Sequence, residues 1–562
     1  MANPYDVERS WPDYFLEHRK LFEEGEGGQG TYQFGDLPVW TVHAPLGFIG
    51  NATFIEGDDG VIVYDTSLNM EAGAHIFGEI RKVTDKPICA IFYSHHHADH
   101  YQGAAAIVEP NDVMSGAIPI YAWENFVEEV ANEFGELLPR QAMGVAYYGG
   151  GLLSPDEKHH HGIGLRIMGG TPGYIPPTHF LDGDTRLDIA GVELDVFYTG
   201  GEAISEFGIH IPAFDLVLIA DEFFNGLPNM HTIRGSKPRL PANYLAALDR
   251  VIEIAPEWLG GSHITPLRGK DHIVETVTRY RDATQYLWDQ SVRLINKGYT
   301  PVELQHALAE LPAHLVEPPF SVPTYGTPFT TVPEFFTGWV SWFSGDATEL
   351  FPSTYERRAE VFVDLMGGLD AVIAAATKLH EAGDHQMAAE LSQLALRSNP
   401  ESENARLLKA AALRARGYQE LNPIARSWYL TGALELEGAF DPDEFIGQAM
   451  AAFASDTTLE GAVKAWRYKL DAEAAADRSA VVGFVAPGSG DEAWTVRLRN
   501  SILVVEPGLD QNADVIVEAD GVALAALPDL AGIKVVDGDI ADFSDFVSLL
   551  DLEITGFRMH QR

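Results

Sequence analysis

A cluster of residues of the types that bind metals, placed directly after an apolar run, constrains the fold of this chain more than any other feature. The run over residues 88–93 is typical of a buried β-strand, and the chain continues at once as Ser-His-His-His-Ala-Asp-His. His95 and His97 are two positions apart, so both imidazoles can face one metal ion, while Asp99 and His100 can turn toward a second. The pattern therefore predicts a binuclear metal site on a loop that follows a buried strand.

Further ligand types follow other predicted strands downstream, as a two-ion site requires. Glu202 comes shortly after a strand-like run over residues 185–198, Asp221 follows the apolar run over residues 216–220, and His263 ends a passage from helix to strand. Glu222, next to Asp221, is an alternative bridging acid, and the sequence leaves this choice open. The set of candidate ligands is then His95, His97, Asp99, His100, Glu202, Asp221 and His263.

These ligand types favour zinc. Imidazole nitrogen and carboxylate oxygen suit Zn²⁺, although manganese and iron accept the same set. Structural zinc sites are normally closed by four protein ligands, whereas this set leaves coordination positions open for water and substrate. We therefore expect two Zn²⁺ ions per chain in a catalytic site.

Short strand-like runs alternate with helical stretches over the first half of the chain. Residues 51–65 predict two strands joined by an Asp-Asp-Gly turn, residues 70–83 a helix, and residues 88–93 the buried strand. In open α/β sheets, active groups gather on loops beyond the carboxyl ends of strands, which is where the histidine cluster falls. An α+β catalytic domain with its metal ligands on such loops is the expectation.

The order of the ligands resembles the binuclear pattern of the metallo-β-lactamase superfamily, and two segments resemble its alkylsulfatases. Glu202-Ala203, followed by Glu206, is similar to the Thr-Glu-Ala-x-x-Glu stretch of that family, in which glutamate replaces the third histidine. The stretch Asn229-Met-His-Thr-Ile-Arg234-Gly is similar to its Asn-x-x-Thr-x-Arg-Gly segment, whose Asn and Arg bind the sulfate. With gaps, the resemblance runs from about Trp40 to the carboxyl terminus.

Two tyrosines extend this resemblance. Tyr148 lies in a Tyr-Tyr-Gly stretch that resembles a segment of the family's pocket wall, and Tyr325 begins a Tyr-Gly-Thr stretch that resembles its helical dimerisation region. The resemblance thus implies that the substrate contacts Tyr148, Asn229, Arg234 and Tyr325.

A chain of 562 residues is too long for one hydrophobic core, since single domains stop growing near about 250–300 residues. Together with the resemblance, the patterns predict a metallo-β-lactamase αββα sandwich over residues 1–290, a helical dimerisation domain over residues 291–435, and a sterol-carrier-like α/β domain over residues 436–562. The helical stretch over residues 371–416 looks like a tetratricopeptide-type helix pair.

Aromatic residues in the predicted helical domain indicate self-association. The segment contains Phe335, Phe336, Trp339, Trp342 and Phe343, and the pattern leaves too little chain around them to bury them all. Exposed apolar patches of this kind mark interaction surfaces, and closed two-fold dimers are the commonest oligomers. We therefore expect a homodimer.

Charge and cysteine content exclude several classes of partner and location. The formal net charge of −44 repels the phosphate backbones of DNA and RNA, so nucleic acid is not expected as a partner. The single cysteine excludes an internal disulfide framework. The first residues show no basic cluster and no apolar core of a signal peptide, and no apolar stretch is long enough to span a bilayer. A cytoplasmic location is expected, with a periplasmic or secreted one left open.

The resemblance implies zinc-dependent hydrolysis of alkyl sulfate esters, with Asp99 and Asp221 holding the attacking water. Attack at sulfur requires a general acid for the alcohol, whereas attack at carbon expels sulfate and requires none. Some relatives place a histidine shortly beyond the arginine for this purpose, but Arg239 stands here and cannot give up a proton. Carbon attack with inversion is therefore favoured, with His231 as the alternative acid.

Two other functions stay open. One is a different lactamase-fold hydrolysis, of a phosphodiester, a lactone or a thioester, with the same metals. The other is lipid binding by the carboxy-terminal region with a purely structural metal site, which the open coordination positions oppose. The sequence also leaves open whether the alkyl sulfate is primary or secondary, and how long its chain is.

Overall fold

The computed structural model describes residues 29–134, 137–154, 157, 163–164, 166–316, 318, 320–447, 458–488, 492–552 and 556–561. This described part of the chain divides into two units. Unit 1 takes its residues from Met1–Val130, Gly144–Ala439 and Met559–Arg562, and unit 2 from Ala131–Met143 and Phe440–Arg558. The amino-terminal stretch that lacks a signal pattern lies outside the described residues. The domain boundaries at residues 290 and 435 stay predictions.

Unit 1 contains two β-sheets. Among the described residues, the first sheet has seven strands in the order of the chain: β1 (Gly30–Gln33), β2 (Val39–His43), β3 (Ala52–Glu56), β4 (Val61–Tyr64), β5 (Ile88–Phe92), β6 (Ile120–Trp123) and β7 (His179–Leu181). Strands β4 to β7 pair in parallel, and β4 is buried along its whole length, as expected for parallel strands covered on both faces. The predicted hairpin and the predicted buried strand are β3–β4 and β5.

Four helices lie in the chain segments between successive strands of the first sheet. They are α1 (Met70–Val83), α2 (Pro110–Met114), α3 (Phe126–Phe134) and α4 (Leu138–Tyr148). Helix α1 begins at Met70 because the Asn69 side chain accepts a hydrogen bond from the backbone N–H of Ala72 at 2.9 Å. Arg81 and Lys82 lie in its last turn, where the helix dipole favours positive charge.

The second sheet of unit 1 has six strands among the described residues. Their spatial order is β13-β12-β11-β10-β9-β8, with the bounds β8 (Thr185–Ile189), β9 (Val192–Tyr198), β10 (Phe207–Ile211), β11 (Leu216–Leu218), β12 (Trp258–Gly260) and β13 (Leu267–Arg268). Helix α5 (Pro241–Ile254) connects β11 to β12, which pair in parallel, and α6 (Lys270–Ile295) follows β13.

The two sheets pack face to face, and helices cover both outer faces. Ile62 and Phe92 of the first sheet share one buried core with Ile209 and Leu218 of the second. Helix α1 packs on the outer face of the first sheet, and α5 and α6 pack on the outer face of the second. The predicted αββα sandwich is therefore confirmed.

The described residues of unit 1 that follow α6 are mainly helical. The helices are α7 (Pro301–Ala307), α8 (Pro328–Trp339), α9 (Tyr355–Leu365), α10 (Leu369–Glu381), α11 (His385–Ser398), α12 (Glu403–Gln419) and α13 (Pro423–Glu437). Helices α10, α11 and α12 occupy the stretch predicted to be helical over residues 371–416 and share one alanine-rich core. None of the described helices combines the length and hydrophobicity that crossing a bilayer requires.

The five aromatic residues expected to be exposed divide into three sets, one of which is Phe343 alone, which is half-buried. Phe335 and Phe336 are buried, because α8 packs them against the core that includes α6, so the expectation was wrong for these two. Trp339 and Trp342 are exposed in this chain, at 46% and 67% of their surface. Other exposed apolar side chains of this segment are Val340, Leu350, Phe351, Tyr355, Phe362, Leu365 and Met366. An apolar surface therefore exists, and its residues run from Trp339 at the end of α8, through Trp342 and Phe351, into α9.

Unit 2 is a mixed α/β structure. Within its described residues, five strands lie in the order β16-β15-β14-β17-β18, and helices pack on the sheet. Its elements are α14 (Leu459–Ala465), β14 (Ala480–Val485), β15 (Ala493–Arg499), β16 (Ile502–Pro507), β17 (Val515–Glu518), α15 (Gly521–Ala525), β18 (Lys534–Asp537) and α16 (Ile540–Val547). The α/β character agrees with the sequence pattern, and the likeness to sterol carriers stays a prediction.

Candidate metal centre

The seven predicted ligands lie on loops that follow strands β5, β9, β11 and β12. Strands of both sheets therefore position them: β5 belongs to the first sheet and pairs in parallel with its neighbours, whereas β9, β11 and β12 belong to the second sheet, in which β11 and β12 pair in parallel. All seven side chains are buried. Within the described residues they form two groups, and in each group the ligand atoms lie within 4.8 Å of one another. The structure thus brings together all the residues that the sequence proposed as ligands.

The first group consists of His95, His97, Glu202 and Asp221. His95 Nε2 lies 2.8 Å from His97 Nδ1, and Glu202 Oε2 lies 3.0 Å from His97 Nδ1 and 3.7 Å from His95 Nε2. Asp221 Oδ2 is 3.8 Å from His95 Nε2. Two imidazole nitrogens and two carboxylates thus face one small volume.

The second group consists of Asp99, His100 and His263. Asp99 Oδ2 lies 3.4 Å from His100 Nε2 and 3.3 Å from His263 Nε2. Asp221 Oδ2, which belongs to the first group, also lies 3.0 Å from His263 Nε2 and 3.5 Å from His100 Nε2. One oxygen of Asp221 therefore lies between the two groups, in the position of a bridging ligand.

Unpaired polar atoms at the centre fit a metal. Among the residues that the structure describes, His100 Nε2, Glu202 Oε2 and Asp221 Oδ1 are buried without a hydrogen-bond partner. Leaving one such atom unsatisfied costs about 1–3 kcal/mol, so three of them in one place require a ligand. Nitrogen and oxygen donors of these types are those that Zn²⁺ and related cations bind.

Asp65 is a functional residue that the sequence analysis missed. It follows β4 directly and accepts hydrogen bonds from the backbone N–H of Ser94 at 2.7 Å and from the hydroxyls of Ser94 and Ser262 at 2.8 Å. Its Oδ2 lies 2.9 Å from His100 Nδ1, which leaves His100 Nε2 facing the metal centre. An acid at the carboxyl end of the apolar run Val-Ile-Val-Tyr was the signal that could have indicated it.

A backbone contact orients His263. Its Nδ1 lies 3.0 Å from the carbonyl oxygen of Ile163, so an Nδ1–H donor leaves Nε2 available to a metal. The Asn51 side chain donates to the carbonyl oxygens of Gly261 and Ile264 at 3.1 and 2.9 Å, on either side of His263. The loop that carries this ligand is therefore held in place by hydrogen bonds.

Glu206 and Glu222 form a buried pair of carboxyl groups behind the ligands. Glu206 Oε1 accepts from the backbone N–H of Asp221 at 2.6 Å, and Glu222 Oε1 accepts from that of Gly201 at 2.7 Å. Burial raises the pKa of Glu206 well above its usual range, and it raises the pKa of Glu222 to about 8. The pair supports the loops of Glu202 and Asp221, and Glu222 itself lies in neither ligand group of the described residues.

The charges within the centre are strongly coupled. Burial opposes the charge on His263, but Asp221 and Asp99 outweigh it and raise the pKa of His263 to about 10. The pKa of His100 is also well above its ordinary value, because Asp99, Asp221 and Asp65 outweigh burial. Conversely, the histidines hold the pKa of Asp99 and of Asp221 well below its ordinary value despite burial.

The residues predicted to bind substrate line one wall beside the centre. Asn229 Nδ2 donates to the Tyr148 hydroxyl at 3.3 Å. Tyr148 and Tyr325 share a buried cluster with Phe224, whose ring lies 4.9 Å from that of Tyr325. Burial raises the pKa of Tyr148, while nearby Arg234 acts to lower it. The structure therefore brings all four predicted substrate contacts together.

His231 is poorly suited to the role of general acid. Its Nδ1 lies 3.3 Å from Glu334 Oε1 on α8. Burial, with help from Arg239 and Arg234, lowers the pKa of His231 to about 4. The ring is therefore neutral at ordinary pH and carries no imidazolium proton to give to a leaving alkoxide.

Arg239, considered in the sequence only as a missing acid, is a buried residue of the site. Its guanidinium forms an ion pair with Glu202 and donates a hydrogen bond to the carbonyl oxygen of Asn229. It thereby touches both a predicted metal ligand and the backbone of a predicted substrate contact. No local sequence pattern indicates this role, because its partners Glu202 and Asn229 do not lie at a regular helix or strand spacing from Arg239.

The chain matches two protein families and is similar to known alkylsulfatases. The family described as "Alkyl sulfatase dimerisation" matches residues 300–439, and the family described as "Metallo-beta-lactamase superfamily" matches residues 45–263. The linear primary-alkylsulfatase of Pseudomonas sp. (strain ATCC 19151) is 33% identical over 523 residues, which cover 89% of this chain and 98% of that protein. The (R)-specific secondary-alkylsulfatase of Pseudomonas sp. is 28% identical over 523 residues, covering 89% of this chain and 78% of that protein.

A solved structure is similar over nearly the whole chain. It is the stereoselective inverting sec-alkylsulfatase of Pseudomonas sp., with a TM-score of 0.84 and 23% sequence identity. The match covers 99% of this chain and 93% of that one. At this identity the likeness concerns the fold.

The raised pKa values make metal binding depend on pH. In the metal-free protein, His263 with a pKa of about 10 is protonated at neutral pH, so a metal must displace its proton. We therefore expect the zinc affinity of the metal-free protein to rise with pH, by about tenfold per unit for each proton displaced between about pH 7 and 9. Calorimetric titrations in several buffers measure both the affinity and the number of protons released.

Two variants provide the comparison. His263→Ala should release fewer protons on zinc binding, whereas His210→Ala, which changes a histidine of β10 outside the centre, should behave as the wild type. A zinc affinity that does not change with pH, together with no proton release, would contradict the coupling between the carboxylates and the protonated histidines of the centre.

Proposed function

This chain belongs to the alkylsulfatases of the metallo-β-lactamase superfamily, and we propose on that premise that it uses two zinc ions to hydrolyse alkyl sulfate esters. The products are an alcohol and inorganic sulfate, which makes the chain a sulfuric ester hydrolase. The observation that carries the proposal is the position of Asp221 Oδ2, 3.0 Å from His263 and 3.8 Å from His95, between two buried ligand groups. Ligand groups that share a carboxylate in this way fit a pair of ions.

The proposed metal ligands form two sets, one for each ion. His95, His97 and Glu202 would hold one ion, Asp99, His100 and His263 would hold the other, and Asp221, whose Oδ2 lies near histidines of both groups, would be shared. When bound, such a pair of ions supplies a water nucleophile at ordinary pH. Asp99 and Asp221 border the space between the groups, so their carboxylates hold and orient that water.

The sulfate group binds at the wall next to the centre. The Arg234 guanidinium is a planar fork that suits a tetrahedral anion, and Asn229 Nδ2 and the Tyr148 hydroxyl add neutral donors. The Asn229 amide and the Tyr148 hydroxyl lie 3.3 Å apart, so both can reach one sulfate group. These donors neutralise the ester's charge and direct the reacting atoms toward the centre.

The alkyl chain lies along the apolar cluster that adjoins these donors. Ile49, Phe224 and Tyr325 belong to this cluster, and the Phe224 ring lies 5.6 Å from that of the ligand His263. Apolar surface this close to the reacting groups favours a hydrocarbon chain over a polar leaving group. The cluster therefore suits the alkyl part of an alkyl sulfate.

We place the broken bond between carbon and oxygen. Arg239 cannot release a proton, and neutral His231 lacks an imidazolium proton, so neither residue assists an alkoxide. In carbon attack the water oxygen bonds to carbon with inversion, the C–O bond breaks, and its electron pair leaves with sulfate. Sulfate is a stable anion, so this route needs no general acid.

The exposed apolar surface of α8 and α9 supports a homodimer. The dimerisation family covers residues 300–439, and this range contains Trp339, Trp342 and Phe351, which is 90% exposed in the single chain. Covering these side chains with the same surface of a second copy removes apolar area from water. The homodimer is therefore part of the proposal.

The first test is Arg234→Ala. Loss of a charged hydrogen-bonding group costs about 1.5–3 kcal/mol, so KM for dodecyl sulfate should rise by roughly ten- to a hundredfold. The metal content should be unchanged, because Arg234 is not a ligand. Arg268→Ala, which removes an exposed guanidinium paired with Glu257, is the matched control and should keep wild-type kinetics.

A panel of substrates separates alkyl sulfate hydrolysis from phosphodiester and lactone hydrolysis. An equivalent phosphodiester hydrolysed faster than dodecyl sulfate would favour the phosphodiesterase, and a neutral lactone turned over equally by wild type and Arg234→Ala would favour the lactonase. Unchanged dodecyl sulfate kinetics in Arg234→Ala would remove the sulfate-binding role of this residue.

Hydrolysis in oxygen-18 water tests which bond breaks. Carbon attack transfers the water oxygen to carbon, so mass spectrometry should find the label in the alcohol. Label in the sulfate would show attack at sulfur, and His231→Ala would then identify or exclude the general acid.

A further inference from the structure

Arg239 connects the metal ligands to the substrate wall. Its side chain is buried, only 6% exposed, at the end of the loop that precedes α5. One end of the guanidinium, Nη2, pairs with Glu202 Oε1, and the other, Nη1, donates to the carbonyl oxygen of Asn229. A planar guanidinium can serve two acceptors at fixed relative positions, which the single ammonium of a lysine cannot.

The two oxygens of Glu202 have different surroundings. Oε2 faces the centre, 3.0 Å from His97 Nδ1, and has no hydrogen-bond partner among the described residues. Oε1 is the oxygen that pairs with Arg239. Because the guanidinium occupies Oε1, only Oε2 is available to a metal ion.

Hydrogen bonds hold both the backbone and the side chain of Asn229. Its carbonyl oxygen accepts from Arg239, and its side-chain amide donates to the Tyr148 hydroxyl. The chain of contacts from Glu202 through Arg239 and Asn229 to Tyr148 is continuous. Rotation of the guanidinium would therefore disturb a metal ligand and a sulfate donor together.

We propose that Arg239 is a positioning residue that limits Glu202 to one oxygen toward the metal and fixes the distance between the metal centre and the sulfate-binding amide of Asn229. This inference rests on the proposed function. It differs from the roles of Arg234 and of the ligands, because Arg239 acts through Glu202 and Asn229.

The charge of Arg239 has a consequence for the metals. A buried cation next to a ligand carboxylate repels a bound cation and draws electron density away from the metal. Removing that charge should strengthen zinc binding, while removing the fork should weaken the alignment of Asn229. The two effects have opposite signs, whereas a general loss of structure would weaken both zinc binding and turnover.

The experiment compares four full-length proteins: wild type, Arg239→Met, Arg239→Lys and the control Lys237→Met. Lys237 lies on the same loop, but its ammonium is largely exposed and pairs with Glu129, away from the ligands. Zinc titration of each metal-free protein gives the affinity, and dodecyl sulfate hydrolysis by each zinc-loaded protein gives kcat and KM.

Arg239→Met should bind zinc at least about tenfold more tightly and show a KM raised by about tenfold or more. Arg239→Lys keeps the charge without the fork, so its zinc affinity should stay near that of the wild type while KM rises. Lys237→Met should change neither quantity. If Arg239→Met does not fold, Arg239→Gln removes the charge with a polar side chain and carries the same expectation.

Unchanged or weaker zinc binding in the neutral variants would overturn the charge effect, and an unchanged KM in Arg239→Lys would overturn the positioning of Asn229. Failure of the proposed function has a different signature, because the wild type itself would then bind no zinc or leave dodecyl sulfate intact.

Discussion

The carboxylate of Asp221 is the contact on which the rest of the site depends. Its Oδ2 lies between His95 of one ligand group and His100 and His263 of the other. Its backbone N–H is held by Glu206, so the position of the carboxylate is fixed by β11 and by a second buried acid. Buried carboxylates are costly unless they are paired with positive charge. The histidines supply part of that charge in the metal-free protein, and the two proposed cations would complete it.

The need to balance negative charge also accounts for the two arginines near the residues predicted to bind substrate. A chain with a net charge of −44 repels an anionic ester at long range, so binding depends on local positive charge. Arg234 and Arg239 lie close enough to Tyr148 and His231 to act on the pKa of each, and the metals add to their field. Arg234 donates to the carbonyl oxygen of Gly235 and is the arginine proposed to meet the sulfate, whereas Arg239 is engaged with Glu202 and Asn229. Neither can give up a proton, which is consistent with sulfate leaving from carbon.

Local patterns in the sequence pointed to all seven residues of the two ligand groups, and together with the family resemblance they predicted the sandwich. Each ligand follows an apolar strand-like run, and this signal lies within a few neighbouring residues. Asp65 and Arg239 were missed because their roles depend on partners distant in the sequence, such as Ser262 and Glu202. Phe335 was expected to be exposed for the same reason, since it is covered by Trp288 of α6 rather than by its own helix. The sequence therefore indicates which residues have metal-binding chemistry, but long-range packing decides how they are oriented.

Stepwise zinc titration of the metal-free enzyme, with sulfate release from dodecyl sulfate followed at each step, tests the central claim most directly. Two ligand groups joined by Asp221 predict that activity reaches its maximum when two zinc ions are bound per chain. Because the joint carboxylate couples the groups, Asp221→Ala should lower both metal content and activity. Full activity with one zinc ion per chain, or hydrolysis by the metal-free protein, would contradict the account.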